Sequence, residues 1–199
     1  MNITSELVKT LREKTQAGIM DCKEALKESG GDLEKAVEHL RKKGLATTQK
    51  RAGRATSQGQ IGSYIHGGGK IGVMVEVNCE TDFVGRTDQF SEFVHNIAMH
   101  IAAANPLCVR REDMPADIIE KEKDIYRAQA RETGKPEKVI EKIVEGKVDK
   151  FFKESCLLEQ AYVRNPDISI TDYLNETIAQ TGESMSIRRF TRYILGDEA

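Results

Sequence analysis

The chain has no stretch approaching the roughly 18 consecutive apolar residues that a membrane helix requires. Its greasiest segment, Ile97 to Ala104, is interrupted by His100. Met1 leads into a polar, helix-like segment with no basic-then-apolar leader, so export is not signalled and a cytoplasmic address is expected. No two of the four cysteines (Cys22, Cys79, Cys108 and Cys156) lie within four residues of each other, and none has a histidine at zinc-ligand spacing. No metal site is expected. In a reducing compartment these residues read as four thiols, mostly small buried hydrophobes. There is no internal repeat at about 20–50 residues. There is also no G-x-S-x-G elbow to go with His66-Gly67-Gly68-Gly69, so hydrolase chemistry is excluded.

Hydrophobic residues make up 39% of the 199 positions and charged residues 31%, a globular balance that allows one compact unit or two small ones. The net charge of −2 argues against a surface devoted to nucleic acid. Charge is unevenly spread. From Leu40 to Val75 there is no acid, while Arg41, Lys42, Lys43, Lys50, Arg51, Arg54 and Lys70 contribute +7 and leave −9 for the remainder.

The first fifty residues read as three helices. Leu7, Val8 and Leu11 mark one stripe, Met20, Ala25 and Leu26 a second, and Leu33, Ala36, Val37 and Leu40 a third at i, i+3, i+4, i+7. Ala17-Gly18 separates the first pair, Gly30-Gly31-Asp32 ends the second helix and caps the third, and Gly44 stands where a C′ glycine belongs. A bundle this small has a marginal core, which suits docking better than catalysis. Gly44 to Gly59 has the composition of a linker or a frayed helix extension, and the expected boundary divides residues 1–52 from 53–199.

Beyond the linker, Gln60 to His66 and Lys70 to Asn78 read as strands joined by Gly67-Gly68-Gly69. Phe90, Phe93, Val94, Ile97, Ile101 and Ala104 trace a helix that Pro106 stops. Two charged amphipathic helices are expected over Pro115 to Glu132 and Pro136 to Gln160, then a short helix over Thr171 to Gln180 and a last strand over Ser184 to Leu195. The expected fold class is α+β: a three-helix module followed by a helical domain with a three-stranded antiparallel sheet.

Little of this carries catalytic chemistry. Gly67 to Gly72 satisfies G-x-G-x-x-G, but a strand follows the glycines where a dinucleotide site needs a helix, so the run reads as a hairpin turn. His95 and His100 are five apart on a helix, about 500° of rotation, and do not converge on one metal. The carboxylates between Glu112 and Glu154 alternate with lysines as on solvated helix faces.

What remains is Cys79-Glu80-Thr81-Asp82-Phe83-Val84-Gly85-Arg86, between the second strand and the next helix. The residues leave two readings open. Asp82 caps that helix while Phe83 folds back on the core, or Phe83 is an exposed aromatic wedge with the composition of an interface hot spot.

The segment Leu7-Val8-Lys9 through Leu11-Arg12-Glu13-Lys14-Thr15-Gln16-Ala17-Gly18-Ile19-Met20-Asp21-Cys22-Lys23-Glu24-Ala25-Leu26 closely resembles the N-terminal signature of the bacterial elongation factor Ts family. So do Glu76-Val77-Asn78-Cys79-Glu80-Thr81-Asp82-Phe83-Val84, Ile97-Ala98-Met99-His100-Ile101-Ala102-Ala103, Gly134-Lys135-Pro136, Val144-Glu145-Gly146-Lys147 and Ile187-Arg188-Arg189-Phe190. The resemblance spans almost the whole chain.

The resemblance implies a protein that is not an enzyme. Members of that family release GDP from elongation factor Tu, docking through an N-terminal module similar to ubiquitin-associated domains. A Thr-Asp-Phe-Val tip disturbs the Mg²⁺ site. Carried over by motif, the tip is Thr81, Asp82, Phe83 and Val84, and the docking residues include Arg12 and Met20. The resemblance implies no cofactor and no direct contact with nucleic acid. At this length the chain resembles the short form, which implies a symmetric homodimer built through the sheet. It departs from the family at Gln16 and Ile19, where Gly and Met are common, and at Gly85, where Ala is common. The competing expectation, a translation-associated RNA-binding protein using Leu40 to Val75, lacks an aromatic platform, since Tyr64 is the only aromatic there.

Overall fold

The apolar spacings of the first fifty residues form three helices in the computed structural model, which describes residues 3–15, 17–51 and 53–197. These are α1 (Ser5–Thr15), α2 (Ile19–Glu28) and α3 (Leu33–Arg51). Leu11, Cys22, Ala25, Leu26 and Ala36 are sealed between them, with Leu7, Val8, Leu33, Val37 and Leu40 packed around. Asp32 caps α3, its Oδ1 accepting from the backbone N–H of Glu34 at 3.0 Å and of Lys35 at 3.1 Å. Gly44 is not a stop, contrary to the sequence reading. The helix runs through it to Arg51, and a Cβ at Gly44 would stand 3.3 Å from the Cβ of Ala179, so this glycine serves a close approach.

The strands are β1 (Gln58–His66) and β2 (Ile71–Cys79), and their turn closes with the Lys70 N–H on the His66 carbonyl at 3.1 Å. All three turn glycines have positive φ, between 62° and 91°, as a tight turn requires, and the strand β2 follows them where a dinucleotide site needs a helix. The first helix after β2 is a single turn, α4 (Asp82–Gly85), and α5 (Asp88–Ala104) ends before Pro106 as expected. Phe90, Phe93, Val94, Ile97, Ala98 and Ile101 are buried along α5.

Next come α6 (Ala116–Arg131) and α7 (Glu137–Ser155), whose facing sides enclose Ala130, Ile140, Val144 and Val148. The expected second helix overruns the observed one. At Cys156 the backbone turns extended and forms a parallel bridge with Cys108, after which a short ribbon appears that the sequence did not announce: β3 (Ala161–Tyr162) antiparallel to β4 (Asn165–Ser169). The chain ends in α8 (Ile170–Thr181) and β5 (Met185–Ile194). The three-stranded sheet has the order β1-β2-β5. The Leu195 N–H reaches the Lys70 carbonyl at 2.8 Å, so the end of β5 lies beside the start of β2 and the two run antiparallel.

The chain divides into two compact units. One contains Met1–Gln60, Val77–Val94 and Asp172–Ser186; the other contains Ile61–Glu76, His95–Thr171 and Ile187–Ala199. In the second, His100 is fully buried: the Val163 N–H donates to its Nδ1 at 3.3 Å, so its Nε2–H donates to Oε1 of Gln160 at 2.9 Å. Desolvation holds this imidazole below the ordinary histidine pKa. All four cysteines are buried free thiols. Among the described residues no helix is long and apolar enough to cross a membrane.

Candidate functional site: an exposed aromatic tip

The tip begins where β2 runs out. Thr81 adopts an extended backbone and is the N-cap of α4, its Oγ1 accepting from the Val84 N–H at 3.4 Å. Capping therefore falls to Thr81. Asp82 instead forms an i,i+4 ion pair with Arg86 at 2.9 Å, on the solvent side. Val84 turns inward and is buried, while Phe83 turns outward with 78% of its surface exposed. The core alternative for Phe83 is excluded by that exposure.

Behind the tip lie Cys79 and the turn after α8. The Cys79 thiol donates to the Thr81 carbonyl at 3.1 Å. Burial pushes that thiol pKa up, and the negative charges of Glu183 and Asp82 push it the same way. Glu183 accepts from the Thr81 N–H at 3.0 Å and from its hydroxyl at 2.6 Å, while Glu80 accepts from the Ser184 N–H at 2.7 Å and from Nη1 of Arg54 at 3.3 Å. The sequence reading includes Glu80 in the candidate segment without a role and does not connect Glu183 or Arg54 with this site. Thr81 and Glu183 are 102 positions apart, and neither residue type nor local pattern pairs them.

The expected docking residues sit on the three-helix module, in the same compact unit as the tip. Arg12 is exposed on α1 beside the buried Leu11. Met20 and Ile19 are both more than half exposed at the start of α2, so the stripe of that helix is carried by Cys22, Ala25 and Leu26 instead of Met20. Gln16 lies outside the described residues.

The cations of the acid-free stretch are largely paired. Arg41 lies near Asp172 and Glu176, Lys42 meets Glu38 at 2.8 Å, Lys43 meets Asp21 at 2.9 Å as well as Glu24, and Arg54 meets Glu80. The side chains of Lys50 and Arg51 lie outside the described residues. A row of cations committed to its own acids has little positive field left for phosphates. Among the described residues no cluster of three or more His, Cys, Asp or Glu side chains is placed to hold a metal.

Comparison with known proteins agrees with the motifs. A family model described as Elongation factor TS matches residues 1–197. The chain is similar to the protein named elongation factor Ts of Geobacter sulfurreducens, 62% identical over 197 residues, covering 99% of this chain and 91% of that one. It is 64% identical over 195 residues to that of Desulfosudis oleivorans, covering 98% of each, and 60% identical over 195 residues to that of Carboxydothermus hydrogenoformans, covering 98% of this chain and 90% of the relative.

Proposed function

We propose that this chain, which belongs to the elongation factor Ts family, is a guanine nucleotide exchange factor for elongation factor Tu in translation elongation. It works as a binding protein with a wedge, without an acid, base or nucleophile of its own. The observation that carries this reading is Phe83, a ring left 78% exposed on a one-turn helix. A ring so exposed adds almost nothing to folding, and it is the kind of anchor that fills a pocket on a partner.

In this reading Thr81, Asp82, Phe83 and Val84 act together. Val84 seats the turn, Phe83 enters between helices of the GDP-bound GTPase, and Asp82 perturbs groups near the Mg²⁺ site. That ion bridges nucleotide phosphates to protein ligands and is the largest local charge, so disturbing it weakens GDP binding without touching base or sugar. Exchange is then a coupling free energy. Whatever factor loosens GDP in the presence of this chain, GDP loosens this chain by the same factor, and the ternary complex resolves either way.

Residues 1–52 serve as the docking module, similar to ubiquitin-associated domains, with Arg12 and Met20 on its contact face. Residues 53–199 form the exchange and dimerisation core. The strands expose Ile61, Ile65, Met74 and Tyr193, and the turn after β5 exposes Leu195, which supports a homodimer closed by pairing these surfaces. The site of action is the cytoplasm.

The test is release of a fluorescent GDP analogue from elongation factor Tu with and without the chain. Acceleration at micromolar concentration is the expected result, and its absence overturns the assignment.

A further inference from the structure

A helix of one turn cannot hold its own shape in water, because nucleation fixes several dihedrals for one hydrogen bond. The position of the Phe83 ring is therefore set by whatever fixes the residue at the root of α4. That residue is Thr81, and all of its polar atoms are engaged. Its carbonyl accepts from the Gly85 N–H at 3.2 Å and from the Cys79 thiol at 3.1 Å, and its hydroxyl oxygen accepts from the Val84 N–H at 3.4 Å. Its two donors both go to one side chain: the N–H to Oε2 of Glu183 at 3.0 Å and the hydroxyl to Oε1 at 2.6 Å.

The clamp is reciprocal. Glu80, the residue before Thr81, accepts from the N–H of Ser184, the residue after Glu183, at 2.7 Å. Two neighbouring carboxylates thus tie two loops by charge-assisted bonds, each loop supplying a backbone N–H to the other's side chain. Directing the Thr81 hydroxyl proton at Glu183 also aims the oxygen lone pairs at the Val84 N–H, so the carboxylate fixes the rotamer that caps α4.

We infer that Glu183 is a positioning residue for exchange: it holds the root of α4 so that Phe83 is presented to the GTPase in one orientation, without itself touching nucleotide or Mg²⁺. This rests on the reading of Phe83 as the wedge. Preorganising a contact that forms only as the nucleotide leaves raises the maximal rate more than it tightens docking, because the docking surface on α1 and α2 is untouched.

The experiment uses the full chain and follows release of the fluorescent GDP analogue from elongation factor Tu as a function of factor concentration, with thermal unfolding alongside. Glu183→Ala is expected to lower the maximal release rate about tenfold while the half-saturating concentration stays within about twofold. Its melting curve is expected to stay in place, since Glu183 lies at a partly exposed turn. Glu183→Gln is expected to recover most of the rate, its amide oxygen accepting from the Thr81 N–H and its amide N–H donating to the hydroxyl oxygen. In a Phe83→Ala background, adding Glu183→Ala is expected to slow release no further.

A maximal rate unchanged in Glu183→Ala, with Phe83→Ala slow, overturns this role and leaves the wedge standing. Additive losses in the double variant, or losses that only track a lowered melting temperature, overturn it as well. A normal rate in Phe83→Ala overturns the wedge itself and this role with it.

Discussion

Phe83 and Phe90 are seven residues apart and chemically identical, yet one ring is 78% exposed and the other fully buried. Hydrophobicity does not distinguish them; the backbone beneath each does. Phe90 stands in the first turn of α5, a 17-residue helix whose apolar stripe continues through Phe93, Val94 and Ile97, so its burial is cooperative with a long row of neighbours. Phe83 stands on a four-residue turn whose inward position is taken by Val84, and which is held by polar ties to Glu183. A ring on a long amphipathic helix is stabilised where it lies. A ring on a clamped turn is kept out of the core and available.

That contrast is broken most forcefully from the buried side. Phe90→Ala leaves a cavity and is expected to cost about 3–5 kcal/mol of folding stability, read from chemical denaturation midpoints. Next is Phe83→Ala, expected to leave the melting curve in place while the exchange transition state loses on the order of 2–4 kcal/mol, seen as slower release of the GDP analogue.

Acid sharpens the difference further. His100 is kept neutral by burial, so between its lowered folded pKa and its unfolded value near 6.5 the unfolded chain binds more protons than the folded one. Stability should be full above that unfolded value and decline as the pH falls through the folded one. His100→Gln should flatten this part of the profile in pH-dependent unfolding. Smallest is Gly85→Ala. A methyl there would meet the Cys79 sulfur at 3.4 Å and the Gly59 backbone at 3.5 Å, ordinary contacts, so a gain of about 0.4–1 kcal/mol in stability is expected through a less flexible unfolded chain.

Local rules carried much of the fold. Gly67 to Gly69 could be read as a hairpin because all three positions need positive φ, and α5 because its apolar row keeps the helical period for four turns. Gly44 reads as a helix stop in the sequence because a glycine that ends a helix and one that lets two helices approach look alike until the partner, Ala179, is known. The end of α7 lies earlier than the sequence suggests because no glycine or proline stands between Ser155 and Gln160 to mark it. What stops the helix is the bridge from Cys156 to Cys108, a contact across 48 residues. At the tip the motif gave Thr81 to Val84, but the burial of Val84, the exposure of Phe83 and the clamp by Glu183 all depend on where the turn after α8 returns. That is a tertiary fact with no local signature.

The same Cys108–Cys156 bridge has a consequence for how this chain can vary in length. Strand-like bonds zip its two sides together, from the Leu107 N–H to the Ser155 carbonyl at 2.8 Å and from the Leu157 N–H to the Cys108 carbonyl at 2.9 Å. The path therefore departs into α6 and α7 and comes back at one backbone rung. Topologically the helical pair is a detour with a common entrance and exit, carrying its own small core of Ala130, Ile140, Val144 and Val148. Its length enters the folding of the remainder chiefly through closing that loop, a cost that grows only by about 0.6 kcal/mol per doubling. Whole turns added to or removed from the far ends of both helices in step are expected to leave the rung where it is, while the near ends, with Ile118, Ile119, Phe151 and Phe152 packed against it, must stay.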